Sequence, residues 1–199
     1  MSDVRTRTPE RPAHWPTLGN GLTRWLGRTG LACLGWRVQG RLPDNDKLVI
    51  AVAPHTSNWD FFVGVFALLA IGARIQWLGK HSIFRWPVNG LLRSLGGIPV
   101  VRHAAKDVVA QAAEQFDVQP RLLLALSPEG TRRHLGRLKT GFLRIAKQAG
   151  VPVLPVGLDY PSRTIEIGEP WVPDGTLDED ERAFYHYFQA YRGRHPDQY

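Results

Sequence analysis

Short, β-branched apolar runs alternate along this chain with longer stretches of helical period, and that alternation restricts the fold more than any other feature. The run KLVIAVA at 47–53 lies between Pro43 and Pro54 and has the length and composition of a buried strand. IQWL at 75–78, GIPVV at 97–101, RLLLAL at 121–126 and VPVLPVGL at 151–158 read the same way, with weaker strands at 36–42 and 163–168. Between them, 61–73 is apolar and long enough for a helix. Residues 104–116 place Ala105, Val108, Val109, Ala112 and Phe116 on one helical face, and 142–149 stops at Gly150. Strand–helix alternation predicts the α/β class: a single domain with a central, mostly parallel (mixed) sheet and helices on both faces. The strands near 47–53, 98–101, 122–126 and 153–158 are expected in one sheet. A further helix is expected over 83–95, broken at Pro87, and an aromatic helix after the acidic run 178–181.

At 199 residues the chain suits one domain, 1–199, with a sizeable core. A lone cysteine, Cys33, excludes an internal disulfide and fits a reducing compartment. The net charge of +7 is one-sided. Residues 1–100 carry 12 Lys/Arg against 5 Asp/Glu, whereas 101–199 are balanced at 13 each, so an anionic surface or substrate is expected on the N-terminal side. Residues 1–16 read as a flexible basic arm without the apolar core of a secretory signal. Over 17–34, Leu18, Leu22, Trp25, Leu26 and Leu34 recur near helical spacing with Arg24 and Arg28 among them. Both a core-packing helix and a helix lying in a membrane interface fit, and Gly19, Gly21, Gly27 and Gly30 weaken either. The run 61–73 covers only about 20 Å as a helix, short of a ~30 Å bilayer core, so it is expected to pack on the sheet.

The chemistry sits where strands end. His55 lies on the strand-to-helix loop and Asp60 in the first helical turn, with Ser57 or Asn58 as cap. A capped turn with a solvated histidine is one reading. The other has the loop folding the imidazole onto a carboxylate that the helix N-terminus keeps ionised. The GKHS run at 79–82 resembles a phosphate loop only superficially, but Lys80 is a candidate cation. The strand at 97–101 ends in Arg102. The strand at 121–126 runs into SPEGTRR at 127–133, where Gly130 permits close backbone approach, Thr131 offers a hydroxyl and Arg132 a bidentate fork. Glu129 could orient such an arginine or accept a hydroxyl. The tail RGRHP at 192–196 carries no motif.

Taken together, four blocks resemble those of the glycerolipid acyltransferase family, whose members include enzymes that acylate lysophosphatidic acid. His55 to Asp60 is similar to its H-x-x-x-x-D block, and 97–102 to a second block ending in arginine. PEGTR at 128–132 matches F-P-E-G-T-R-S, with Ser127 in place of the aromatic and Arg133 in place of the serine. VPVLPV at 151–156 is similar to the fourth. The resemblance covers roughly 47–158 in the family's order. It implies His55 as base oriented by Asp60, with Arg102, Arg132 and Lys80 holding an acceptor phosphate and Glu129, Gly130 and Thr131 shaping that site. The acceptor is then a lysophospholipid, foremost 1-acyl-sn-glycerol-3-phosphate, acylated to phosphatidic acid. No cofactor or metal is implied beyond the donor itself, an acyl-CoA or acyl carrier protein thioester. A non-phosphate acceptor, such as a lyso-aminolipid or a pigment alcohol, is the alternative.

Other classes are less well served. None of the six serines sits in the G-x-S-x-G of a serine hydrolase. The basic excess follows no nucleic-acid-binding motif, so no nucleic acid is expected as a partner. A lipid acceptor and a basic N-terminal half together point to a cytoplasmic, peripheral protein on the anionic inner face of the cytoplasmic membrane.

Overall fold

A computed structural model describes residues 8–100, 105–129 and 137–195. Its centre is a seven-stranded sheet formed by β1 (Arg37–Gly40), β2 (Lys47–Ala53), β3 (Gln76–Lys80), β4 (Gly97–Val100), β5 (Leu122–Leu126), β6 (Val153–Asp159) and β7 (Thr164–Ile167). The strand order is β1-β7-β6-β2-β5-β3-β4. Five strands, from β6 to β4, are mutually parallel; β7 is antiparallel to β6, and β1 follows β7. The four principal strands expected from sequence do share this single mixed sheet.

Parallel strands joined by crossover helices are covered on both faces, which is why their sequences are apolar throughout rather than alternating. In β2, Leu48 and Ile50 point into one core layer and Val49, Ala51 and Ala53 into the other. The first layer is closed by α1 (Gly21–Cys33) and α2 (Trp59–Ile71), through Leu31, Val63, Ala67, Ala70 and Ile71. The second is closed by α4 (Ala105–Val118), α5 (Gly141–Ala149) and α6 (Leu177–Phe188), through Phe116, Phe142, Leu143, Phe184 and Phe188. A short α3 (Asn89–Ser94) precedes β4.

Three expectations are corrected by packing. The helix over 83–95 is reduced to a single 3-10 turn at His81–Ile83 and to α3, because Pro87 disfavours helical geometry at the residue before it. In the arm expected over 1–16, Trp15 is docked: it is 2% exposed and donates its indole N–H to the Asn45 carbonyl at 2.9 Å. Residues 1–7 of that arm, including Arg5 and Arg7, lie outside the described residues. Two of the glycines of 17–34, a weakness by helix propensity, let two helices meet. A Cβ on Gly27 would collide with the α2 backbone at Ala70, and one on Gly30 with the Phe66 ring. The same helix leaves Leu22, Trp25 and Leu26 exposed.

Candidate active site

β2 ends at Ala53, and the chain then turns through 54–58 into α2. This is the carboxyl end of a central parallel strand, where open α/β sheets gather ligands. His55 is half-buried on the turn, and Asp60 lies in the first turn of α2 and is 2% exposed. The Ser57 N–H donates to Asp60 Oδ2 at 2.8 Å while the Ser57 hydroxyl accepts the Trp59 N–H at 3.2 Å. This reciprocal arrangement curls the loop over the carboxylate. Of the two capping residues considered, Ser57 makes the side-chain contact; Asn58, at the N-cap position, makes no side-chain capping bond.

The other Asp60 oxygen accepts the Tyr160 hydroxyl at 2.5 Å. Tyr160 follows β6, and its ring packs edge-on against Trp36 with centroids 4.9 Å apart. Burial first, and then the Asp60 hydrogen bond, push the phenol well above its usual range, so it is a permanent donor here. Two donors leave acceptor capacity on Asp60, since an ionised carboxylate offers about four lone-pair sites.

On the opposite side of the turn, β5 leads to Glu129, which is 8% exposed. Both of its oxygens face the His55 N–H, at 3.1 and 2.9 Å. Burial raises its carboxyl from 4.5 to about 7; the His55 N–H opposes that shift, and the nearby Asp60 charge adds to it. The role expected for Glu129, orienting an arginine or accepting a hydroxyl, is therefore accompanied by another: it braces the backbone of the histidine.

Lys80 is exposed as the last residue of β3, not in a loop, and 3-10 geometry follows it in place of a phosphate loop's helix. β5 separates β3 from β2, so Lys80 stands roughly 10 Å across the sheet from the His55 turn, at the same end. Arg102, Gly130, Thr131 and Arg132 lie outside the described residues. The structure therefore brings His55, Asp60, Glu129 and Lys80 to the carboxyl end of the parallel strands. Tyr160 was missed in the sequence; the available signal was its place directly after a central strand. Among the described residues no group of three or more His, Cys, Asp or Glu could hold a metal ion.

A family model described as Acyltransferase matches residues 36–159. A 1-acyl-sn-glycerol-3-phosphate acyltransferase of Haemophilus influenzae is 30% identical over 145 residues, covering 68% of this chain and 58% of that protein. One from Escherichia coli is 29% identical over 170 residues, covering 80% and 66%. The chloroplastic 1-acyl-sn-glycerol-3-phosphate acyltransferase BAT2 of Brassica napus is 33% identical over 128 residues, covering 61% and 36%. The chain thus spans between about a third and two thirds of the length of these relatives. In fold it is similar to the crystal structure of the 1-acyl-sn-glycerophosphate (LPA) acyltransferase PlsC from Thermotoga maritima. The TM-score is 0.57 at 23% identity, over 85% of this chain and 76% of that one.

Proposed function

The chain belongs to the acyltransferase family, and from that premise we propose that it moves a fatty acyl group from an acyl thioester to the free hydroxyl of a lysophospholipid, foremost 1-acyl-sn-glycerol-3-phosphate, giving phosphatidic acid. One observation carries most of the support: the Glu129 carboxylate accepts the His55 backbone N–H. Two sequence blocks 74 residues apart therefore meet on the turn that presents the imidazole. The names of the curated relatives point to the same acceptor.

In the proposed reaction His55 takes the proton of the acceptor hydroxyl as its oxygen attacks the thioester carbonyl carbon. The resulting tetrahedral centre collapses with loss of the C–S bond, and the imidazolium returns the proton to the departing thiolate. Asp60 stabilises the imidazolium, and Tyr160 and Ser57 hold Asp60 in place. Because a thioester is already activated, general-base catalysis of about 10²–10⁴-fold and orientation supply the rest. Lys80, with Arg102 and Arg132, holds the acceptor phosphate and so sets the distance from hydroxyl to imidazole. The donor is an acyl-CoA or acyl carrier protein thioester, and no further cofactor takes part.

Attachment to a membrane surface belongs to the same reading. α1 exposes Leu22, Trp25 and Leu26 beside Arg24 and Arg28, and Trp86 and Leu91 stand exposed before β4. No helix of the described residues is long and apolar enough to cross a membrane. We place the protein peripherally on the anionic cytoplasmic face, where each basic residue contributes about 1 kcal/mol. Purified protein incubated with labelled acyl thioesters and a panel of lyso-acceptors, read by product mass, tests the reaction. Phosphatidic acid from 1-acyl-sn-glycerol-3-phosphate is expected, and product only from unphosphorylated acceptors would overturn the acceptor assignment. Salt-sensitive sedimentation with anionic but not neutral liposomes is the companion result for attachment.

A further inference from the structure

The segment after α6 is fastened to the β6 side of the candidate active site. Tyr191 is buried, and beyond it the backbone is tied to two loops. The Tyr160 N–H donates to the Arg192 carbonyl at 2.9 Å, the Arg192 N–H to Asp159 Oδ1 at 3.1 Å, and the His195 N–H to Thr56 Oγ1 at 3.2 Å. Gly193 passes so close that a Cβ there would collide with the Thr56 side chain. Thr56 is the residue after His55 and is itself buried. These ties set the Arg194 guanidinium over the Trp59 ring, 5.4 Å from its centroid, and near enough to Tyr160 for its charge to favour the phenolate. Arg194 is exposed and forms no ion pair among the described residues. A cation is thus held at a defined place beside the His55 turn, and no carboxylate of the described residues pairs with it.

We propose that Arg194 binds the phosphate of the thioester donor's phosphopantetheine arm. This rests on the acyl-transfer reading above, and the geometry of two substrates carries it further. The acceptor phosphate is only a few bonds from the reacting hydroxyl, so its cations belong with Lys80 on the β5–β3 side. The donor must approach the same imidazole from another direction. Its phosphate lies a whole pantetheine arm away from the thioester sulfur, so a cation that reads it stands off from His55. On the β6 side, across the His55 turn from Lys80, Arg194 sits over Trp59 in the first turn of α2. Trp59, about half exposed, supports the guanidinium from beneath and leaves its edge open to a planar, bidentate phosphate contact.

The test is equilibrium binding of 4′-phosphopantetheine and of pantetheine to the full chain, to Arg194→Gln and to Arg194→Lys. The wild type is expected to bind the phosphorylated arm about tenfold more tightly than pantetheine, the size of one charge-assisted contact. Arg194→Gln should bind the two alike, and Arg194→Lys should keep part of the preference. Pantetheine affinity should be equal in all three proteins, which a collapse of the loop would not leave. The proposal is overturned by a wild type without phosphate preference, including one that binds neither compound. It is equally overturned by an Arg194→Gln variant that keeps the preference, or that loses affinity for 1-acyl-sn-glycerol-3-phosphate instead. Absence of acyl transfer by the wild type, measured separately, would count against the reaction and leave this binding comparison intact.

Discussion

Two buried carboxylates flank His55, and they are held in opposite ways. Asp60, on the β6 side, accepts donors from two different elements, the Ser57 N–H and the Tyr160 hydroxyl. Glu129, on the β5 side, directs both oxygens at one N–H, that of His55, and burial outweighs this bond so that its carboxyl rises to about 7. Burial alone therefore does not distinguish the two. What separates them is the donor set: Asp60 is fixed with lone pairs to spare for an imidazole, whereas Glu129 is committed to the backbone. The first is built to act on the side chain of the histidine and the second to hold its loop.

Substitutions that keep shape and change charge can break that contrast. The largest effect is expected from Asp60→Asn. The amide cannot stabilise imidazolium, and its NH2 meets a donor at Ser57 or Tyr160, so kcat should fall on the order of 10²–10⁴-fold. A fall of less than threefold in steady-state assays would mean that Asp60 is a capping residue only.

Glu129→Gln should act on stability and its pH dependence. A carboxyl raised in the folded state contributes fully below its unfolded value of 4.5, and that contribution is lost as pH rises through about 7. Wild-type protein should therefore lose stability between pH 5 and pH 8 relative to Glu129→Gln, by on the order of 3 kcal/mol. Urea melts at several pH values measure this; parallel curves for the two proteins would show that Glu129 is not the titrating group.

Tyr160→Phe keeps the ring against Trp36 and removes one donor from Asp60. A loss of about 1–3 kcal/mol in stability is expected, with kcat reduced about tenfold and KM little changed. Were KM to rise with kcat intact, the hydroxyl would be a substrate contact and not a positioning group. The smallest effect should come from Lys80→Ala, a point charge roughly 10 Å across the sheet. It should raise KM for a phosphorylated acceptor by about three- to tenfold and leave an unphosphorylated one unaffected. Equal losses for both acceptors would place Lys80 outside the phosphate site.

The sheet was legible because each strand carries its own signal: a buried parallel strand is apolar along its whole length, so 47–53 and 122–126 declared themselves without partners. The His55 turn and Glu129 were legible for a related reason, since polar residues directly after such runs have few structural uses. What sequence did not show depends on contacts between distant parts of the chain. Only its place directly after β6 marks Tyr160, whose partner is 100 residues away, and nothing local marks the tie between His195 and Thr56, 139 residues apart. Gly27 was misread for the same cause: its propensity cost is local, and its value appears only where α2 crosses it. The break at Pro87 in the helix expected over 83–95 was legible from the proline itself, but not how little helix would remain on either side of it.

The central claim is that His55 is the base that activates the acceptor. It is tested most directly by acyl transfer from a labelled thioester to 1-acyl-sn-glycerol-3-phosphate, catalysed by purified His55→Ala with a melting profile matched to the wild type. The imidazole is half-buried and contributes little to either core layer, so the variant should fold. Transfer should fall by at least the roughly 10²–10⁴-fold that general-base catalysis supplies. Near-normal transfer by that protein would contradict the account.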